Sequence, residues 1–153
     1  MRYIWKDYNP EYLELINSFL DNEAISMTGL DEGFDNYVSA LIADSTNYPG
    51  AKDYIKVIFE GEIPIAVLVF GIYDGILTVA EIIVAPEYRG KGKGTEIIRG
   101  LLQLINKSIT ETVNQINAVI FPNNIASQKV FEKAGFRFDH AHEDGDAWYY
   151  VYK

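Results

Sequence analysis

The run Ile76–Val84 is apolar on both faces apart from Glu81, and from Thr95 the apolar period changes to that of a helix. A strand with two apolar faces lies centrally in a sheet that is covered on both sides. Ile97, Ile98, Leu101, Leu102, Leu104 and Ile105 mark one helical face that ends near Lys107, and Ile116–Phe121 reads as the next strand. Strand, helix, strand in that order requires a right-handed crossover between two parallel strands. This unit restricts the chain to an α/β sandwich.

The remaining segments build around it. Tyr3–Asp7 reads as a short strand. Tyr12, Leu13, Leu15, Ile16, Phe19 and Leu20 recur at helical spacing over Glu11–Asn22, with Pro10 where a first turn accepts it. A second helix is predicted over Phe34–Ala43, joined to the first by a loop holding Asp21, Glu23, Asp31 and Glu32. Asp53–Glu60 and Ile63–Tyr73 flank a turn at Gly61. Asp74-Gly75 suits the positive φ angles of a tight hairpin before Ile76, so these strands form an antiparallel meander. Ile125–Ala134 reads as a helix closed by Gly135, and Phe136–Ala141 pairs with Ala147–Tyr152 around Asp144-Gly145. No repeat or linker interrupts the 153 residues, of which 48% are hydrophobic, enough for one core. The expectation is an α/β fold: a single domain over 1–153, with a mixed six- to seven-stranded sheet and about four helices on both faces.

Charge and composition narrow the function. Thirteen Lys and Arg against 22 Asp and Glu give a net charge of −9, which disfavours nucleic acid and anionic membranes and favours cationic partners. Without cysteine there is no disulfide, thiolate nucleophile or Cys-ligated zinc, and two histidines leave few metal ligands. His140 and His142, beside Asp139 and Glu143, read as an exposed strand end, and no metal is expected. The opening MRYIWKDYNP lacks the apolar core of a secretory signal, and no apolar run approaches the roughly 18 residues of a membrane span. A soluble cytoplasmic protein is expected.

Between strand and helix stands Arg89-Gly90-Lys91-Gly92-Lys93-Gly94-Thr95. Glycines let a backbone turn tightly and approach a ligand closely, while the first amides of the helix point outward unpaired, with the positive end of the helix dipole behind them. This is the arrangement of a phosphate cradle. Three cations within five residues of an acidic chain call for an anion. The spacing fits neither a dinucleotide fingerprint, which would need glycine or alanine where Thr95 stands, nor a Walker loop.

The stretch Val84-Ala85-Pro86-Glu87-Tyr88-Arg89-Gly90-Lys91-Gly92-Lys93-Gly94 resembles the acetyl-CoA motif of the GNAT superfamily of N-acetyltransferases, Gln/Arg-x-x-Gly-x-Gly/Ala. Downstream, Asn124-Ile125-Ala126-Ser127-Gln128-Lys129-Val130-Phe131-Glu132-Lys133-Ala134-Gly135-Phe136 is similar to that family's Asn-x-x-Ala/Ser-x-x-x-Tyr-Glu-Lys-x-Gly-Phe block. The two motifs cover Ile76 to Phe136; the first third of the chain carries no such signature.

The resemblance implies that acetyl-CoA, the co-substrate, lies in a wedge where Leu77–Val84 and Ile116–Phe121 splay apart. Ile82 and Val84 would hydrogen-bond its pantetheine arm as if it were another strand. The pyrophosphate would rest on the amides of Gly90, Gly92, Gly94 and Thr95 in the loop that also carries Lys91 and Lys93, with Arg89 reinforcing the charge. Ser127 and Phe131 would complete the cofactor site. Asn124 either contacts the pantetheine or caps the following helix.

The implied reaction is direct attack of a primary amine on the thioester, with a strand N–H stabilising the oxyanion and no enzyme nucleophile. Glu81, the lone carboxylate in an apolar strand, is the candidate base; the alternative is that it pairs with a cation or reaches water. Phe131 stands where the family often has a tyrosine that protonates the departing thiolate. Tyr149, Tyr150 or water would then substitute, or the thiolate leaves unassisted. The expected acceptor is a cationic small molecule or peptide, drawn by Asp21, Glu23, Asp31, Glu32, Asp35 and Asp44, which could equally be an ordinary solvated acidic face. The rival readings are a non-catalytic acyl-CoA-binding or regulatory module and, on weaker grounds, a nucleotide-binding domain. A homodimer is common among similar proteins, although no segment here specifies an interface.

Overall fold

Seven strands, Tyr3–Asp7 (β1), Lys52–Glu60 (β2), Ile63–Tyr73 (β3), Ile76–Val84 (β4), Gln115–Ile120 (β5), Phe136–Ala141 (β6) and Trp148–Tyr152 (β7), form one sheet in the order β1-β2-β3-β4-β5-β7-β6. The computed structural model describes residues 3–107 and 112–152. The first four strands are an antiparallel meander, β4 and β5 run parallel, and β7 lies antiparallel between β5 and β6. The meander turns at Asp74 (φ 52) and Gly75 (φ 79), the left-handed pair a two-residue hairpin requires.

Lys93–Lys107 (α4) and Ile125–Lys133 (α5) cover one face of the sheet, where Ile97, Ile98, Leu101 and Phe131 pack on Ile58, Leu68, Phe70, Leu77 and Val79. Leu13–Phe19 (α1) and Phe34–Ser45 (α3) cover the opposite face over β2 to β4, with Ile16, Phe19 and Phe34 on Val57, Val67, Val69 and Ile83. Asn17 accepts a hydrogen bond from Phe34 N–H at 2.8 Å and so joins α1 to α3. Among the described residues no helix is long and apolar enough to cross a membrane.

The first third departs from expectation. The helix predicted over Glu11–Asn22 is divided into a short turn at Pro10–Tyr12, α1, and a separate helix, Asn22–Thr28 (α2), in what was expected to be loop. Leu20 leaves helical geometry (φ −87, ψ 67), and extended Asp21 starts α2 by accepting Ala24 N–H at 2.9 Å. Gly29, at φ 74, closes it. Among the described residues the sheet therefore carries five α-helices, one more than the sequence suggested.

Two irregularities in β4 position the site. Its pairing with β5 extends only from Ile76↔Gln115 to Val79↔Ala118, after which the strands separate. Its pairing with β3 slips between Val69↔Glu81 and Phe70↔Val79, leaving Ala80 as an extra residue, a β-bulge. Leu77 and Val79 point to the α4 side, yet Ala80 packs on the α1–α3 side, and Glu81 pairs with Val69 on that same side. The bulge thus puts two consecutive side chains on one face.

Asp21 also accepts from Arg89 Nη1, 3.0 Å from each carboxylate oxygen, tying the α1–α2 corner to the segment after β4. The Ala24 N–H first, and the Arg89 guanidinium after it, hold the Asp21 carboxyl below its ordinary 3.8. Asp21→Ala is expected to lower unfolding free energy at neutral pH by about 1 kcal/mol through the lost cap. A depressed pKa contributes stability above the unfolded value and loses it as pH falls, so the gap between wild type and variant narrows below about pH 4. Urea denaturation of both proteins at pH 7 and pH 3 checks the size and the direction.

Candidate active site

The edge of β4 beyond Val79 is the starting point. Ala85 N–H donates to Ile65 O at 2.8 Å, toward β3. Backbone groups alternate along a strand, so those of Val84 and Ile82 face the opposite edge, where pairing with β5 has already ended. The Val84 carbonyl is taken by Arg89 Nε at 2.9 Å. The remaining edge groups face the gap between the two strands.

At the end of this edge the chain turns through Gly90 (φ 73) and Gly92 (φ 79), both left-handed, with open space where a Cβ would stand. Gly94 has a different reason to be glycine: a Cβ there would lie 3.0 Å from Val130 Cγ2, so it lets α4 approach α5. Gly94 and Thr95 are buried in the first turn of α4, whose amides have no intrahelical acceptor. The loop's cations are used unevenly. Arg89 gives its guanidinium to Asp21, to Phe19 O at 2.9 Å and, at 3.6 Å, to Glu23, so it braces α1 and α2 rather than standing free for a phosphate. Lys93 pairs with Glu60 at 2.9 Å. Lys91 lies 5.8 Å from the Tyr88 ring centroid. Lys129 and Lys133 of α5, which sequence reasoning passed over, line the same depression as Gly90, Gly92, Gly94 and Thr95. Their spacing of four on one helix was the available signal.

On the other side of the gap is a cleft of about 250 Å³ lined by Met27, Tyr37, Ala80, Glu81, Ile82, Phe121, Asn124, Ser127 and Phe131, among others. Glu81 is partly open to this cleft, yet its carboxyl is enclosed enough that burial pushes it up to about 8. No side chain among the described residues hydrogen-bonds or ion-pairs with it. Tyr37 of α3, absent from the sequence reading, has its phenol pKa raised by burial first, then by Glu81 and by Asp53. Asn124 caps α5, its Oδ1 accepting Ser127 N–H at 3.1 Å, while lining the cleft as well. Phe131 is buried, with its ring edge-to-face on Phe136 at 5.0 Å.

A smaller space joins the two regions. It shares Ile82, Asn124 and Ser127 with the Glu81 cleft, and Val84, Arg89, Gly94 and Val130 with the glycine depression. One channel therefore runs from the helix amides to the Glu81 carboxyl along the unpaired β4 edge.

Other sequence candidates fall elsewhere. Tyr150 is buried in the core and Tyr149 does not line the cleft. Asp21 and Glu23 face Arg89 rather than an acceptor. His140 and His142 both lie against Tyr149, but each bonds its own carboxylate, Asp139 at 2.7 Å and Asp144 at 2.5 Å. His142, Asp144 and Asp146 bring ligand atoms within 4.8 Å of one another on the outer hairpin, and none of the three lines the channel.

Residues 29–137 match the acetyltransferase (GNAT) domain family. A search of curated proteins found no match. Among solved structures, the chain is similar to an acetyltransferase from Thermus thermophilus (16% identity, 99% of this chain and 96% of the other, TM-score 0.76). It is also similar to an aminoglycoside acetyltransferase in complex with coenzyme A and kanamycin (19%, 98% and 94%, 0.76). A third is spermidine N-acetyltransferase from Vibrio cholerae in complex with CoA and spermine (18%, 97% and 94%, 0.71). At these identities the likeness speaks for the fold; the family match spans most of the chain, including the glycine loop and the Asn124 block. With a strand edge left open beside that loop, the chain belongs to the GNAT acetyltransferase family, and acetyl-CoA is its co-substrate.

Proposed function

We propose that this protein transfers the acetyl group of acetyl-CoA to a primary amine of a cationic small molecule or peptide, by direct attack of the amine and with Glu81 as the base. The channel from the glycine loop to one desolvated carboxyl is the observation that carries the reading. Bound acetyl-CoA supplies an activated thioester. The edge groups of Ile82 and Val84 suit a pantetheine arm, and Asn124, with Oδ1 used in capping, keeps its NH₂ as a donor. The amides of Gly90, Gly92, Gly94 and Thr95 suit a pyrophosphate, with charge from Lys129 and Lys133 of the same depression and from Lys91 of the loop instead of Arg89.

An alkyl amine with pKa about 10 is almost wholly protonated at neutral pH, so it must lose a proton to attack. Glu81, raised to about 8, is matched to that transfer near its own pKa. The ammonium gives one proton to Glu81, the freed nitrogen pair bonds to the carbonyl carbon, the carbon–sulfur bond breaks with its electron pair on sulfur, and the second N–H proton leaves through water. An N–H on the β4 edge stabilises the oxyanion. Phe131 donates no proton, and neither Tyr149 nor Tyr150 reaches the cleft. With a thiol pKa of about 8.5, the thiolate leaves unassisted or takes a proton from water. Kanamycin and spermine, bound by two of the similar structures, are both polycationic amines, which supports a cationic acceptor.

Phe131 also favours a second reading, a non-catalytic acyl-CoA-binding module. Both readings require micromolar acetyl-CoA binding with no comparable response to ATP or NAD, which titration calorimetry measures. Release of free thiol on adding amines occurs only under the first.

Glu81→Gln is expected to lower turnover at least tenfold while leaving acetyl-CoA affinity unchanged. Because the ionised carboxylate acts, wild-type kcat/KM for the amine rises as pH passes through about 8, and the variant loses that limb. Near-normal turnover, or an unchanged profile, removes Glu81 from the mechanism. A general acid typically contributes 10²–10⁴-fold, so Phe131→Tyr changes kcat by less than about threefold if the thiolate leaves unaided; a large rise reveals that an acid was missing.

A further inference from the structure

We propose that the acceptor is an elongated amine with two cationic centres, one reacting beside Glu81 and the other held by Asp53 and Asp44 at the far end of a groove along the sheet. This rests on the acyl-transfer reading above and specifies its substrate class. The groove, about 510 Å³, shares Thr78, Ala80 and Val119 with the Glu81 cleft, so the two spaces are continuous over one face of β4 and β5. Leu41 and Asp44 of α3 form its wall, and Gly71 lies in its floor. A monoamine would leave the carboxylates at the far end without a cation.

Asp53 is positioned by its neighbours. It pairs with Gly71 of β3, which pairs in turn with Thr78 of β4, so the three form a row across the sheet. A Cβ on Gly71 would lie 3.0 Å from Asp53 Oδ1; glycine leaves the carboxylate room to lie over β3. The Ser45 hydroxyl at the end of α3 donates to its other oxygen. Two strand spacings separate Asp53 from Thr78, roughly 10 Å. Tyr37 of α3 senses both ends, since the Glu81 and Asp53 carboxylates each act on its phenol. Lys52 is the remaining charge in the groove lining; its carbonyl belongs to the floor, 3.4 Å from the same Gly71 position, and strand alternation points its side chain away from that of Asp53.

The carboxylates do not stand alone as an acidic patch. At the other end Glu81 is enclosed, without a partner among the described residues, and opens toward the same continuous space. An amine at one end and an ammonium at the other would meet carboxylates at both.

Octamethylenediamine and octylamine have the same chain and differ only in the distal ammonium. In a thiol-release assay with acetyl-CoA, the wild type should favour the diamine in kcat/KM by about fivefold or more, the scale of exposed carboxylate pairs, with the preference falling as salt rises. Asp53→Asn should erase the preference through KM with little change in kcat and leave octylamine unaffected, and Asp53→Glu should restore part of it. Equal use of both amines by the wild type, or an equal effect of Asp53→Asn on both, overturns the proposal. If neither amine releases thiol although acetyl-CoA binds, the acyl-transfer reading is what fails. Titration of the CoA-bound protein with the diamine then decides the groove: weaker binding in Asp53→Asn sustains it, and unchanged or absent binding overturns it.

Discussion

A sheet interior rarely leaves backbone groups without partners, because a buried N–H or C=O without a hydrogen bond costs free energy comparable to the bond it lacks. Here β4 and β5 part after Val79 and Ala118, and a central strand acquires an open edge at Ile82 and Val84. The rest of the structure is arranged around that opening. Helix α4 leaves from one side of it and α5 starts on the other, pressed together at Gly94 and Val130, so the amides of the first helix and the cap of the second converge on one gap. Such an edge suits a strand-like ligand, and the amides of the first helical turn suit an anionic group.

Electrostatics around the opening are more local than the net charge of −9 suggests. Arg89 and Lys93 look like phosphate ligands in the sequence, yet Asp21, Glu23 and Glu60 occupy them, and they become struts that fix the loop. Cations left beside the glycines come partly from α5. On the far side, a carboxyl without a counterion among the described residues is driven toward its neutral form by enclosure. One short channel thus joins a site suited to anions and a site suited to proton acceptance.

Legibility followed the range of the interactions involved. The crossover from β4 to β5, the meander and both hairpins are set by periodicity and turn chemistry within a few residues, and the Arg89–Gly94 and Asn124–Phe136 blocks are contiguous, so all of these were readable. Helix α2 was missed although Asp21 and Gly29 carry its cap signals, because the apolar spacing before Asp21 appeared to continue as one helix. Arg89's engagement with Asp21, 68 residues away, and the arrival of Tyr37 beside Glu81 depend on how α1 to α3 pack, which no local pattern encodes. Glu81 was legible as an anomaly in an apolar strand; the side it faces was not, since that depends on the extra residue at Ala80.

That extra residue sets a rule about length. Upstream of Ala80 the strand is in phase with β5, while downstream its outer edge is in phase with the channel and Glu81 with the cleft. Losing or gaining one residue between Thr78 and Val84 would exchange the two faces of everything after it and remove carboxyl and edge groups together. At the turns, a Cβ on Gly61 or Gly145 would meet open space, and residues added within the turn leave the phase of the flanking strands unchanged. Chains descended from a common ancestor with this one are therefore free to vary in length at those turns, whereas in the second half of β4 they must hold the count of residues even where they change the residues themselves.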